Sequence, residues 1–162
     1  MEAQPEGRVG PAMQSPAPTV EELARAAKLL NATTPMRHAG FRVSFPTTDL
    51  VVAEVPAVGS EPRGGLGTSA VNGGVLAALF DLVTGCTAAL VDPRRRSATV
   101  QLSMSFERPV VGDSLRAEAR IDRRTRRTLF ASARILDGRG QVCARCQAIV
   151  ALARAGAAPL AP

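Results

Sequence analysis

From Asn72 to Val91 the chain runs twenty residues with a single charge, Asp81, and it stops at Asp92-Pro93. Proline lacks an amide proton and clashes with the preceding turn, so a helix ends there. Apolar residues fall nearly all round a 3.6-residue wheel, and a helix of that kind must be covered on most sides. After Arg96 the period drops to 2. Val100, Leu102, Met104 and Phe106 alternate with Gln101, Ser103 and Ser105; Leu115, Ala117, Ala119 and Ile121 alternate with Arg116, Glu118, Arg120 and Asp122. Such alternation marks strands with one buried face. Two further strands are expected at Leu129 to Leu136 and Val142 to Val150, and the four should form a hairpin-connected antiparallel meander. One antiparallel sheet with one apolar face covers the helix by curling around it. The expected class is α+β: a long central helix wrapped by a curved antiparallel sheet of five or six strands.

The rest of the chain fits around this unit. Residues 1 to 18 are rich in Pro, Gly, Ala and Gln without periodicity and read as a disordered tail. Thr19 caps a short helix with Glu22 as its capping-box partner, and Leu23, Ala26, Ala27 and Leu30 form its apolar stripe. Pro35 should end any helical continuation. Phe41 to Phe45 and Leu50 to Val55 read as a strand pair or one broken strand, and a glycine-rich loop follows from Ala57 to Val71. A single domain over residues 19 to 152 is expected, with a frayed tail from 153 to 162.

At 162 residues, with 46% apolar and 21% charged residues, the chain has the composition of one globular domain. No unbroken apolar run approaches the ~20 residues of a bilayer span, and residues 1 to 10 do not form a secretory signal. A cytoplasmic location without membrane attachment is the expectation. Three cysteines, Cys86, Cys143 and Cys146, cannot all pair, and they fit a reducing compartment. Cys143 and Cys146 spell a C-x-x-C, but on a strand an odd separation points the thiols to opposite faces, so buried small side chains are the better reading than a metal or redox pair. The net charge of +6 is carried almost wholly by arginine, clustered at Arg94-Arg95-Arg96 and Arg123-Arg124-Thr125-Arg126-Arg127. No Trp or Tyr is present, and no Phe interleaves with these clusters as a base-stacking platform would need, so nucleic acid is not the expected partner. A phosphate-bearing small molecule or a solvated basic face accounts for the charge.

The central helix is not uniform. Leu76, Leu79, Phe80, Val83 and Leu90 supply bulk on one side; Ala77, Ala78, Asp81, Thr84, Gly85 and Ala88 lie on the other. Asp81 therefore sits in a lane of small residues, with Ala78, Thr84 and Gly85 as candidate substrate-lining positions. A carboxylate placed in a protein core is costly and is usually a working group. The plainer alternatives are that it faces solvent or pairs with an arginine of the sheet. Asn72-Gly73-Gly74 opens the helix, and the free amides of that first turn, at the positive end of the dipole, suit a developing oxyanion; ordinary capping and tight packing explain the same residues. Gly74 and Asp81 are seven residues apart, about 10.5 Å along one helix. One carbonyl cannot meet both at ~3 Å. If both act on one substrate, they come from different copies, and catalysis implies a homodimer with antiparallel central helices.

The stretch from Val71 to Asp81, with its Asn72-Gly73-Gly74 and its aspartate seven residues on, resembles the H-G-G-x-x-x-x-x-x-D motif of PaaI-like hotdog thioesterases. Thr99 to Pro109 with Gly112-Asp113, and Gly138 to Ala144, are similar to that family's second strand and closing hairpin. The resemblance spans roughly residues 38 to 152. It implies a hotdog fold, hydrolysis of acyl-CoA without metal or cofactor, and a homodimer that can pair further into a tetramer. It gives Asp81 the role of general base or nucleophile, Gly74 or Gly73 that of oxyanion donor, and Thr99 a part in placing the attacking water. Arg108, Arg126 and Arg127 become candidates for the CoA phosphates. The family's usual His is Asn72 here, which donates a hydrogen bond but supplies no proton. A catalytically weak hotdog protein that binds or senses acyl-CoA is thus the alternative expectation. His38 lies outside the motif and reads as structural.

Overall fold

Thr19 opens the first helix, α1 (Val20–Asn31), with its hydroxyl accepting the Glu22 amide while the Glu22 carboxylate accepts that of Thr19, a complete capping box. The protein is described here from a computed structural model over residues 16–60, 62–64 and 68–154. The tails expected at 1 to 18 and 153 to 162 fall mostly outside those residues. Pro35 does not end the helical region: it sits in the first turn of a second short helix, α2 (Thr34–Ala39). A proline there gives up only an amide that would be unpaired anyway.

Six strands form one antiparallel sheet: β1 (Arg42–Thr47), β2 (Leu50–Val55), β3 (Ser97–Phe106), β4 (Leu115–Arg124), β5 (Thr128–Asp137) and β6 (Val142–Leu152). Their order is β1-β2-β4-β5-β6-β3. The expected four-strand meander therefore holds only for β4, β5 and β6. β3 pairs with β6 instead, Met104 opposite Cys146 and Phe106 opposite Ala144. Alternation carries no record of which strand lies beside it, and on β3 it does not mark a buried face either: Val100, Met104 and Phe106 are exposed, because β3 is the last strand of the sheet. The β3–β4 connection crosses the end of the sheet, where Val110 accepts the Val71 amide at 2.9 Å and Asp113 that of Val58 at 2.8 Å.

The central helix, α3 (Gly73–Gly85), is shorter than the sequence suggests and continues as a 3-10 turn over Cys86–Leu90. Thr84 Oγ1 donates to the Phe80 carbonyl at 2.8 Å and Thr87 Oγ1 to that of Thr84 at 2.6 Å, side-chain bonds that compete with the helical ladder. By length and composition Gly73–Leu90 is apolar enough to cross a membrane, yet half of it is buried inside the protein, as a core helix is. Leu76, Leu79, Phe80 and Val83 pack into a core with Val51, Ala53, Ala117, Ile135 and Val150. Gly74, Ala78 and Asp81 on the opposite face are exposed. The helix is thus covered on one side, and the lane of small residues is open.

Candidate active site

Asp81 stands on that open lane, exposed rather than in the core, which corrects the expectation of a buried carboxylate. It borders a cavity of about 390 Å³ with Leu30, Leu82, Gly85, Cys86, Ser97, Ala98 and Thr99. The start of β3 supplies the far wall: Ser97 Oγ donates to the Gly85 carbonyl at 3.3 Å, and a Cβ on Gly85 would lie 3.7 Å from Thr99 Oγ1. Asp81, Gly85 and Thr99, predicted separately, therefore share one site. Two buried thiols lie near the carboxylate. Burial pushes Cys86 up to about 12, with the Asp81 charge adding to the effect. Burial likewise pushes Cys146 up to about 11, a hydrogen bond with the Ser103 backbone opposing and Asp81 again adding. Both thiols stay protonated beside the aspartate.

The helix start forms a second cluster. Asn72 is the N-cap, and its Oδ1 accepts the Gly74 amide at 2.8 Å. Gly74 is therefore committed to the cap, which shifts the candidate donor to the exposed Gly73, whose amide makes no bond among the described residues. With Oδ1 engaged, the Asn72 NH2 group remains as a second donor beside it. The ring of Phe106, from the far end of β3, would lie 3.7 Å from a Cβ on Gly73. A Cβ on Gly74 would come within 3.1 Å of Asn72 Oδ1, so a side chain there presses on the cap.

Not every candidate belongs to these clusters. Thr84 is fully buried with its hydroxyl bound to the Phe80 carbonyl, so it cannot line a substrate site. Arg126 and Arg127 sit in the β4–β5 hairpin, where Arg127 accepts the Leu152 amide, whereas Arg108 donates its amide to Cys143. Leu152 and Cys143 are nine positions apart on β6, about 30 Å at ~3.3 Å per residue, so one chain does not bring the three arginines together. Arg126 and Arg127 share the Asp81 end of β3; Arg108 shares the Gly73 end. Sequence reasoning missed Leu30 and Cys86 as cavity walls, since both read as ordinary apolar positions. It also missed Arg95, whose guanidinium donates to the Ala153 and Arg126 carbonyls and ties the basic hairpin to the end of β6.

Residues 69–144 match the family model described as the Thioesterase superfamily. Among solved structures, a Bordetella protein from the thioesterase superfamily is 25% identical, covering 83% of this chain and 99% of its own, at a TM-score of 0.73. A Haemophilus influenzae thioesterase is 17% identical over 81% of this chain and 90% of its own, at 0.70. The E. coli PaaI protein from the phenylacetic acid degradation operon is 17% identical over 82% and 94%, at 0.69. No curated protein sequence gives a significant match. The six-stranded antiparallel sheet with its long central helix is the arrangement these structures share.

Proposed function

We propose that this chain, whose residues 69–144 match the Thioesterase superfamily model and whose fold is that of the PaaI protein, hydrolyses acyl-CoA at a site shared between two copies. The observation that carries this reading is the split of the candidate residues. Asp81, Thr99, Arg126 and Arg127 lie at one end of the β3 edge, and Asn72, Gly73 and Arg108 at the other. Gly73 and Asp81 are eight residues apart on one helix, about 12 Å at ~1.5 Å per residue. Pairing two β3 edges antiparallel about a two-fold axis lays each end over the partner's opposite end. All seven residues then meet in each of two sites.

In such a site Thr99 Oγ1 holds a water and the Asp81 carboxylate takes its proton as the water oxygen attacks the thioester carbonyl carbon; direct attack by Asp81, followed by hydrolysis of the acyl-enzyme, is the variant of this step. The carbonyl oxygen becomes an oxyanion facing the partner's Gly73 amide and Asn72 NH2 group, donors worth far more in a water-poor cleft than in bulk. Collapse breaks the carbon–sulfur bond, and the CoA thiolate leaves and is protonated. Arg116, Arg134 and Arg145 on the outer sheet face each meet a carboxylate at 3.0, 2.8 and 3.1 Å, whereas Arg108, Arg126 and Arg127 meet none among the described residues. That surplus charge at the site's rim suits the CoA phosphates. The free thiols suit a reducing, cytoplasmic setting.

The test is turnover of acetyl-, octanoyl- and phenylacetyl-CoA by wild type and Asp81→Asn. Loss of at least ~100-fold in kcat is expected, the lower range for a positioned acid–base group. Equal rates for the two proteins would sink the role of Asp81. Tight binding of acyl-CoA with no turnover by wild type would favour a binding or sensing protein, the reading that Asn72 in place of histidine supports.

A further inference from the structure

Arg63 is a charged residue in the glycine-rich loop ahead of α3, with a side chain only 19% exposed. Its guanidinium reaches carbonyls from three parts of the chain. Nε donates to Gly59 at 3.1 Å, Nη1 to Ser69 at 3.2 Å, and Nη2 to Val58 at 3.2 Å and to Gly112. Nη2 also stands 3.5 Å from Asp113, whose carboxylate is fully exposed. Four backbone carbonyls in two loops 49 positions apart thus converge on one side chain. Only the planar fork of arginine has enough donors, splayed widely enough, to satisfy such a set.

The same residue's backbone leads to the candidate oxyanion donor. Arg63 bridges Val71 in antiparallel fashion, and the Asn72 amide donates to the Pro62 carbonyl at 2.8 Å. Gly64 donates to Ala70 at 3.0 Å, and Val71 to Val110 at 2.9 Å. The two residues before Gly73 are therefore held by a short ladder whose base is the Arg63 clamp. The Val58, Gly59, Ser69 and Gly112 carbonyls accept no other bond among the described residues, so without the clamp they turn to water and the ladder loses its footing.

We propose that Arg63 is a positioning residue for acyl-CoA hydrolysis: by clamping the Val58–Gly59, Ser69 and Gly112 carbonyls it fixes Asn72 and Gly73 where their donors meet the oxyanion. This rests on the thioesterase reading above. The guanidinium touches no substrate. Its effect on rate comes from aim, and a misplacement on the order of 1 Å costs up to ~100-fold.

The experiment compares full-length wild type with Arg63→Ala, Arg63→Lys, Arg63→Gln and Asp113→Asn, using the most rapidly cleaved of the three acyl-CoAs. Arg63→Ala is expected to lower kcat about 10- to 100-fold per folded dimer with KM within about threefold, the signature of lost transition-state placement. Arg63→Lys should fall as far, since it keeps the charge and loses the fork, while Asp113→Asn stays within about twofold because that carboxylate is in water. Added guanidinium ion at about 25 mM should restore part of the rate to Arg63→Ala and none to Arg63→Lys, whose amine fills the place. Hydrogen exchange is read alongside: the Val71 and Asn72 amides should exchange at least about tenfold faster in Arg63→Ala, with the β4–β6 amides unchanged. A merely structural arginine would lower the melting temperature and the folded fraction of every variant, Arg63→Gln included, and leave kcat per folded dimer alone. That result, or exchange at Val71 and Asn72 equal to wild type, overturns the proposal. If wild type turns over none of the acyl-CoAs, the thioesterase reading fails, and the exchange experiment still decides whether Arg63 holds Asn72.

Discussion

The two edges of the sheet are finished differently. β1 is six residues long and closed by the chain itself: Asn31, the last residue of α1, donates from Nδ2 to the Val43 carbonyl at 2.8 Å and accepts the Val43 amide on Oδ1 at 2.8 Å. One amide side chain mimics a neighbouring strand, and Phe41, Val43 and Phe45 beneath it are buried. β3 at the far edge is ten residues long, carries no proline and no lysine, and among the described residues has no strand paired to its outer side. Val100, Met104 and Phe106 on it are 66%, 36% and 53% exposed. A long apolar edge is an invitation to pair, and proteins that are meant to stay single blunt it. Here one edge is blunted and the other kept open beside the helix lane that carries Asp81. The contrast supports the proposal that a second copy pairs on β3 and completes the site.

That contrast can be broken at either edge. Replacing Met104 and Phe106 together by aspartate puts charges on the open edge; sedimentation should then show monomer, and thioesterase activity should fall at least ~100-fold although Asp81 is untouched. A monomer with wild-type activity would place the whole site in one chain. Asn31→Ala opens the closed edge. It should cost about 1–3 kcal/mol in stability from two lost hydrogen bonds, read by thermal or urea unfolding, with dimer and kcat retained. A drop in dimer affinity of the same size would mean the two edges are not independent. The smallest effect concerns the thiols behind the lane. Cys86 and Cys146 are raised in the folded state, to about 12 and about 11 from 9.0. Above pH ~9 the unfolded chain ionises thiols that the folded chain keeps protonated, so stability should decline as pH rises from about 9 toward 12. The Cys86→Ala/Cys146→Ala variant should show a shallower decline over that window, and an identical pH slope would contradict the burial argument.

Much of this was legible in the sequence, and the failures have physical reasons. The period change after Arg96 marked where helix gives way to strands, and Thr19 with Glu22 placed the first helix start, because caps and periodicity are local properties. The place of β3 beside β6 was not legible: alternation carries no record of the neighbouring strand. Asp81 was expected in the core because α3 is apolar almost all round, yet apolarity there serves two surfaces, one facing the sheet and one left open. Thr84 shares the wheel sector of Asp81 but turns its hydroxyl onto its own helix backbone. Asn72 reads as a cap and is one, and only the geometry shows that the cap uses up the Gly74 amide and leaves that of Gly73. Arg63 and Asn31 carried no signal, since each works through backbone groups distant in sequence.

Each site is proposed to take Asp81 from one chain and Gly73 from the other, and mixed dimers test that directly. Gly73→Pro removes the donor amide at a first helical position where proline fits, after an Asn72 whose ψ of 137° suits a following proline. Asp81→Asn and Gly73→Pro homodimers should each be nearly inactive. Unfolding and refolding an equal mixture makes half the dimers mixed, each with one intact site, so activity should recover to about one quarter of wild type. A mixture no more active than either parent would contradict a shared site.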